Sequence, residues 1–343
     1  FTRHPSARGV GMTGLVSRAH ANAGVALITV LLVVVIATVL GVSTAKKQHM
    51  TIQSSSHFFT RAQARYFALG GEEFARQILH KDFVTQPQWD SLDEPWAEPN
   101  MFFEFDGGDI NLNIIDLQGR LNVNGLIGKG QKIIQSRARI SLLTNQLGAD
   151  PAWIDKLVDW SDLDTAASPL GAEDYDYLGL SPAYRTSSQP LADLSELRLL
   201  LGFSNEAFFS LKDHLAVLPD AYSDLNVNTC SGLVLQTLAT GLSLEQADSI
   251  LATRTNEGAF VSVEAFLQQP ELAGLGVKQE GLSVQSRFFE VKVRARFEDQ
   301  IAYLTSILHR DPVTGAIVVV GRNSGEKFIM GTGIRQPVEN SDG

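Results

Sequence analysis

Residues 25–42 read VALITVLLVVVIATVLGV, eighteen positions without a formal charge. At about 1.5 Å of rise per residue, a helix of this length reaches about 27 Å, close to the hydrocarbon thickness of a bilayer. The uncharged window is wider still, since between Ala19 and Ala45 only His20 can take up a proton. A cleaved secretory signal would need an apolar stretch of about 7–15 residues and a small-residue cleavage site after it. This run is longer, and Lys46, Lys47 and a further helical pattern follow it. The expectation is a retained transmembrane helix over 25–45. Basic residues flank both ends, so charge bias does not orient it, and a long acidic body can be exported regardless of its charge.

Outward from that run the composition is that of a folded body. The chain has 343 residues, 44% hydrophobic and 19% charged, which excludes a wholly disordered protein and a multi-span membrane protein. No Asp or Glu precedes Glu72, whereas Arg3, Arg8, Arg18, Lys46, Lys47, Arg61 and Arg65 do. The rest of the chain is therefore strongly acidic, and such a surface repels nucleic acid and anionic lipid. A single cysteine, Cys230, rules out an intramolecular disulfide framework and a cysteine-based zinc cluster.

Helical pattern continues over 46–80, with an imperfect apolar stripe at Phe59, Ala62, Tyr66, Leu69, Phe74 and Ile78 and a weak point at Gly70-Gly71. Residues 82–99, broken by Pro87, Pro95 and Pro99, read as irregular surface anchored by Trp89 and Trp96. Residues 103–105 and 110–114 alternate around Asp106-Gly107-Gly108, as in a hairpin. From 126 to 283 the pattern is helical, with helices expected at 133–147, 151–160, 191–201, 205–215, 230–238, 243–253 and 261–268. Ser243 and Gln246 fit a capping box at the start of the sixth. Beyond 283 the period becomes two: Phe289, Val291, Val293, Ala295 and Phe297 alternate with charged residues, and strands follow at 300–310 and 317–320. Strands on both sides of a helical block suit one interrupted α/β domain; two separate sheets are the alternative, but 110–114 is too short to form one alone.

Before the membrane run lies a basic leader ending in Asn22-Ala23-Gly24, with the apolar helix starting at once. This resembles the signal of type IV pilins and type II secretion pseudopilins. The resemblance implies cleavage by a prepilin peptidase between Gly24 and Val25, with methylation of the new amino terminus. Members of that family carry Glu at the fifth mature position, thought to pair with the terminal amine of a neighbouring subunit; here that position is Thr29. Loss of this carboxylate, a large extra domain and the segment 116–124 (DLQGRLNVN) resemble the K-type minor pseudopilin. The implied fold is α/β: a pilin-like fold, with a long amino-terminal helix on an antiparallel sheet, carrying an inserted all-helical domain. The implied segments are a leader at 1–24, the membrane helix at 25–45 and a first pilin-like part at 46–125. An inserted domain at 126–283, carboxyl-terminal strands at 284–335 and a tail at 336–343 complete them.

Six carboxylates fall within 159–176: Asp159, Asp162, Asp164, Glu173, Asp174 and Asp176. Crowded carboxylates repel unless solvated or bridged by a cation, and hard oxygen ligands suit calcium. No twelve-residue calcium loop is present, so a solvated acidic loop stands beside a calcium site as a reading. The K-type resemblance implies structural calcium in the helical domain, with Asp162, Asp164, Glu173 and Asp174 as ligands and Asp159 ligating or bracing them. Residues 225–260 also resemble helix-hairpin-helix modules of DNA uptake proteins, but the turn Thr240-Gly241-Leu242-Ser243 has one Gly and no Lys cluster, and Arg254 is the one Lys or Arg between Lys212 and Lys278. No H-E-x-x-H, G-x-S-x-G or P-loop pattern occurs, the seven histidines are scattered, and Cys230 reads as a core residue.

The sequence thus points to a non-enzymatic protein with a single membrane helix, and the resemblance implies that this helix lies in the inner membrane with the body in the periplasm. The resemblance implies a type II secretion minor pseudopilin that initiates and caps the pseudopilus tip, with I-type and J-type minor pseudopilins as partners and no nucleic acid. A membrane-anchored helix-hairpin-helix DNA-binding competence protein is the alternative.

Overall fold

The computed structural model describes residues 16–127 and 130–328. Most of the leader (1–15), the end of the carboxyl-terminal strand segment (329–335) and the tail (336–343) lie outside the described residues. Two compact units are distinguished, Phe1–Ala62 and Gln63–Gly343. Helix α1 (Val16–Thr85) runs through the first and continues into the second. In the first unit, 25–42 form continuous helix with every side chain exposed. The hydroxyls of Thr29, Thr38 and Thr44 donate to the carbonyls of Ala26, Val34 and Leu40 at 2.8–2.9 Å. These threonines therefore satisfy themselves within the helix, as a hydrocarbon environment requires.

In the second unit, α1 is followed by the hairpin β1 (Met101–Phe105) and β2 (Gly108–Asp116). The chain then leaves for a mainly helical region containing α2 (Gln131–Gln146), α3 (Ala152–Ser161), α4 (Asp174–Leu178), α5 (Asn205–Leu211), α6 (Gly232–Gln236), α7 (Leu244–Glu257) and α8 (Val263–Leu267). Four two-residue strands are embedded there: β3 (Leu121–Asn122) pairs parallel with β4 (Leu215–Ala216), and β5 (Leu225–Asn226) with β6 (Leu282–Ser283). The chain returns as β7 (Phe288–Phe297), β8 (Gln300–Arg310) and β9 (Ile317–Asn323). Strand order is β1-β2-β7-β8-β9, antiparallel throughout, so strands from both flanks build one sheet. Asp116 pairs with Phe289, which puts the points of departure and return side by side.

Leu112, Ile114, Phe289, Val291, Val293, Leu304 and Leu308 line the buried face of the sheet, against α1 and Trp96. Of the stripe expected from its sequence, Leu69 and Ile78 pack on this core but the aromatic residues do not lead it. Tyr66 and Phe59 are exposed, and Phe74 is 40% exposed. The buried line is Ala64, Ala68, Gly71, Ala75 and Leu79, at four- and three-residue steps. Bulky residues already fill the sheet surface, so the helix makes its closest approach through small side chains, with Leu79 filling the space at its end. The aromatics work at the flanks instead: Phe67 stacks on Phe105 at 4.0 Å and Phe74 meets Phe103 edge-on at 4.8 Å. The helix runs on through Gly70-Gly71 without a break. A Cβ on Gly71 would stand 2.6 Å from Val293 Cγ1, so this glycine sets the distance of closest approach. On the same face Glu72 is buried, forked by Arg322 at 2.7 Å and bonded by Ser306 Oγ. Burial opposes its charge, but Arg322 and Ser306 outweigh that and hold its carboxyl below the usual range.

Helices α5, α6 and α8 are shorter than their apolar periodicity suggests, whereas α2, α3 and α7 are not. Ser204, Ser231 and Ser262 each accept the backbone N–H three residues on, so α5, α6 and α8 start where those serines dictate. The helix expected at 205–215 stops at Leu211 because Leu215 enters β4. The one expected at 191–201 is reduced to a 3-10 turn (Leu194–Leu199), since the Leu191 N–H is held by Asn124. The capping box at Ser243 and Gln246 is present. Residues 86–99 are mostly irregular and anchored by Trp96, fully buried, and Trp89, half-buried, as expected; Asp90 and Ser91 depart from that reading, being buried rather than at the surface.

The tetrapeptide Leu-Asn-Val-Asn occurs twice, at 121–124 and 225–228, and is used the same way each time. Its Leu-Asn pair forms the short parallel ladder. Its first Asn accepts the N–H of the second, at 3.1 and 2.9 Å. The second Asn clamps one remote residue through both N–H and C=O: Asn124 holds Leu191 (3.0 and 2.9 Å) and Asn228 holds Phe260 (2.9 and 3.0 Å). A buried amide must spend both its donor and its acceptor, and these spend them on backbone that no long strand reaches.

Two neighbouring glycines test the packing of α1. Gly71→Ala should destabilise the chain by about 1–3 kcal/mol through overpacking against Val293. Gly70→Ala, with open space around it, should stabilise by about 1 kcal/mol through helix propensity. Denaturant titration of the full chain in detergent micelles measures both.

Candidate functional site

The acidic segment begins where α3 ends and closes where α4 begins. Trp160 of α3 and Tyr177 of α4 meet edge-on at 5.1 Å, both buried, and this contact brings the two helix ends together. Asp162 is the last cap of α3 and Glu173 the first cap of α4, so both are delivered to one place. Asp162, Asp164 and Glu173 each put a carboxylate oxygen within 4.8 Å of the others. Asp162 Oδ1 and Glu173 Oε1 are buried and accept no hydrogen bond among the described residues.

The other two acids expected here serve the loop. Asp159, fully buried, accepts the Ser168 hydroxyl at 2.6 Å and the Ser168 N–H at 2.9 Å, folding 162–171 back onto α3. Gly171 passes so near that a Cβ there would overlap the Asp159 carboxylate. Asp174 faces away from the group. It accepts the Thr186 N–H and hydroxyl at 2.9 Å and pairs with Arg185, and these bonds hold its carboxyl below the usual range. The structure therefore brings together three of the five predicted residues, with Asp159 behind them and Asp174 directed elsewhere.

Burial raises the pKa of Asp162, and the Asp164 and Asp159 charges raise it further. Glu173 is raised by burial and then by Asp162, Asp159 and Asp164. A cluster of hard oxygen donors with two orphaned atoms and mutual repulsion fits a calcium ion, which needs several carboxylate and carbonyl oxygens and tolerates irregular geometry.

At the amino-terminal end, Gly24 and Val25 lie within α1, exposed and with no neighbour within 4 Å of a Cβ on Gly24. Thr29, the fifth residue after Gly24, is exposed and spends its hydroxyl on Ala26. Among the described residues one helix is long and apolar enough to cross a membrane, with an 18-residue window of mean hydropathy 3.1. It fits a single-pass anchor.

The turn read as a DNA-binding hairpin is engaged with protein groups. The Ser243 hydroxyl and the Gln246 side chain take each other's backbone N–H. Arg254 donates to the carbonyls of Val227 and Cys230 at 3.1 and 3.0 Å. Sequence reasoning missed the two Asn clamps and the inward-facing Arg310. A signal existed for the latter: Arg310 continues the even-numbered face of β8 carrying Leu304, Ser306 and Leu308.

Profiles described as type II secretion system protein K match residues 119–220 and 225–285. A type II secretion system protein K from Pseudomonas aeruginosa is 36% identical over 316 residues, covering 88% of this chain and 93% of that protein. One from Klebsiella pneumoniae is 32% identical, covering 74% and 81%. A similar solved structure is the crystal structure of the GspK-GspI-GspJ complex of the type 2 secretion system of enterotoxigenic Escherichia coli. One of its chains matches with TM-score 0.68 and 25% identity, over 78% of this chain and 97% of that one.

Raised carboxyl pKa values mean that the folded, calcium-free chain holds protons the unfolded chain has released, so ionising Asp162 and Glu173 subtracts stability as pH rises. In chelator at neutral pH, Asp162→Asn and Glu173→Gln should each stabilise the chain, by a few tenths to about 1 kcal/mol. The gain should vanish once acid protonates the wild-type groups in both states, as denaturant titrations across pH would record.

Proposed function

The chain belongs to the type II secretion system protein K family, and on that premise we propose that it is a non-enzymatic minor pseudopilin that starts and caps the pseudopilus tip. The observation that carries this is Thr29. In a membrane-length helix whose fifth residue after Gly24 is a hydroxyl satisfied by its own helix, no carboxylate is offered to a neighbouring terminal amine. An unpaired buried carboxylate would be costly, and a missing one removes the attraction that draws a subunit in beneath another. Such a chain suits the first position, and its large helical region closes the end to further subunits. Prepilin peptidase cutting between Gly24 and Val25 would free the terminus for methylation. The anchor sits in the inner membrane with the body in the periplasm, and I-type and J-type minor pseudopilins are the partners, in keeping with the composition of the similar solved complex.

No enzymatic role is assigned. Cys230 is fully buried and its thiol is pushed up to about 12 by burial, which leaves no reactive thiolate. A nucleic-acid role is not favoured, because Arg254 and the hairpin amides are already bonded within the protein. Calcium has a structural part in this reading: Asp162, Asp164 and Glu173 hold it, and Asp159 braces the loop through Ser168.

Co-expression tests the assembly role. The full chain should co-purify from detergent with the I- and J-type proteins, begin at Val25 by amino-terminal sequencing, and label fibres only at one end. Labels repeated along the shaft, with subunits above them, would sink the proposal. Calcium is tested separately by thermal melting of the full chain in micelles. Calcium should raise the midpoint and chelator reverse it, with Trp160 sensitising terbium emission, and Asp162→Asn should abolish both effects. An unchanged midpoint removes calcium from the account.

A further inference from the structure

A second acidic group lies at the carboxyl end of α1, where the assembly reading makes no use of it. Asp82 of α1 and Asp90 and Glu94 of the following segment each bring a carboxylate oxygen within 4.8 Å of the others. One buried cation faces them. Arg310, at the end of β8, reaches Asp82 at 3.4 Å and bonds Asp90 through Nη2. Phe289 and Phe83 cover its guanidinium, with ring centres at 4.9 and 5.4 Å. From β2, Asp116 adds a further buried carboxylate near Asp90.

The hydrogen bonds do not balance this excess. Asp90 Oδ2 accepts the Ser286 N–H at 2.7 Å. Glu94 Oε2 accepts the Ser91 N–H at 3.0 Å and the Trp96 indole N–H at 2.7 Å. Glu94 Oε1 is buried and accepts nothing among the described residues. Three carboxylates and one guanidinium leave surplus negative charge in a poorly solvated niche, where like charges this close do not all ionise. The smallest group that relieves it is a proton held between two carboxyls.

We propose that Asp82 and Glu94 share one proton below neutral pH, and that this proton latches the end of α1 to the junction of the sheet with the helical region. Burial pushes Asp82 up to about 7, with the Glu94 and Asp90 charges acting in the same direction. Glu94 is raised as well, again chiefly by burial. The latch has something to hold. Beside it the Asp90 N–H donates to the Val284 carbonyl at 2.8 Å, Asn226 Nδ2 donates to the Asp90 carbonyl at 3.1 Å, and Gln285 Nε2 donates to the Pro87 carbonyl at 2.6 Å. Segment 87–94 therefore joins α1 to β8 and to the inserted region at once. The inference stands independently of the proposed assembly role.

A folded-state pKa above the unfolded one gives stability that is full below the unfolded value and is lost as pH rises to the folded value. The full chain in micelles, with chelator, is compared with Asp82→Asn and Glu94→Gln, whose amides supply the hydrogen without the charge. Between about pH 5 and 7 the unfolding constant of the wild type should rise up to about tenfold per pH unit relative to either variant, levelling above 7. Taking the difference cancels carboxylates common to all three chains, and Glu94→Gln gives the same reading if Asp82→Asn does not fold. Infrared spectra should show a protonated carboxyl band in the wild type near pH 6 that both variants lack. A pH-independent difference, or a band unchanged in both variants, overturns the proposal. So does Glu94-dependent stabilisation by added calcium or magnesium in an Asp162→Asn background, which would make the group a cation site.

Discussion

A sheet can carry a large insertion only if the chain leaves and re-enters at neighbouring points, and here a buried polar knot holds those points together. Asp116, where the chain leaves β2, accepts hydrogen bonds from the Ser286 hydroxyl (2.5 Å), the Thr229 hydroxyl (2.5 Å), the Asn226 amide (3.2 Å) and the Gln118 N–H (2.8 Å). Ser286 stands just before β7, and Asn226 and Thr229 belong to the inserted region. One carboxylate thus gathers departure, return and insertion. Burial pushes Asp116 up to about 6 despite these donors, so the knot sits in a desolvated place where leaving a buried polar group without its partner costs about 1–3 kcal/mol.

The same economy recurs at three other buried groups. Glu72 is matched by Arg322 and Ser306, and Asn124 and Asn228 each clamp a remote backbone residue. In each case the buried group bonds across a large sequence separation, so it fixes where two distant segments meet. The apolar contacts around them, small residues of α1 on large residues of the sheet and one core through the helical region, supply the driving force but little register.

Much of this was readable in the chain. The strands at 300–310 and 289–297 follow directly from period-two alternation, because a half-buried strand must alternate. The capping box at Ser243 was readable because its chemistry is local. Helix lengths were not, since Ser231, Ser262 and the Asn124–Leu191 clamp cut short patterns whose periodicity ran on. The packing face of α1 was only partly legible: apolar size suggests the aromatic residues, whereas the buried line is Ala64, Ala68, Gly71, Ala75 and Leu79, with Leu69 and Ile78 beside it. Of the acidic segment, the cluster was legible as composition. That Asp162, Asp164 and Glu173 converge while Asp174 turns to Arg185 depends on the Trp160–Tyr177 contact.

By itself the sequence determined what is local or compositional: a membrane-length uncharged helix, strands flanking a helical block, a Gly24 junction without a following acid, and an acidic loop with hard oxygen donors. These are properties of period, length and residue type, and no partner is needed to express them. Only the tertiary structure decided which carboxylates meet, that Asp82, Asp90 and Glu94 crowd one arginine, and that both flanks form a single sheet. Those outcomes depend on distances between residues far apart in the chain, set by packing and buried hydrogen bonds, which a linear pattern does not encode.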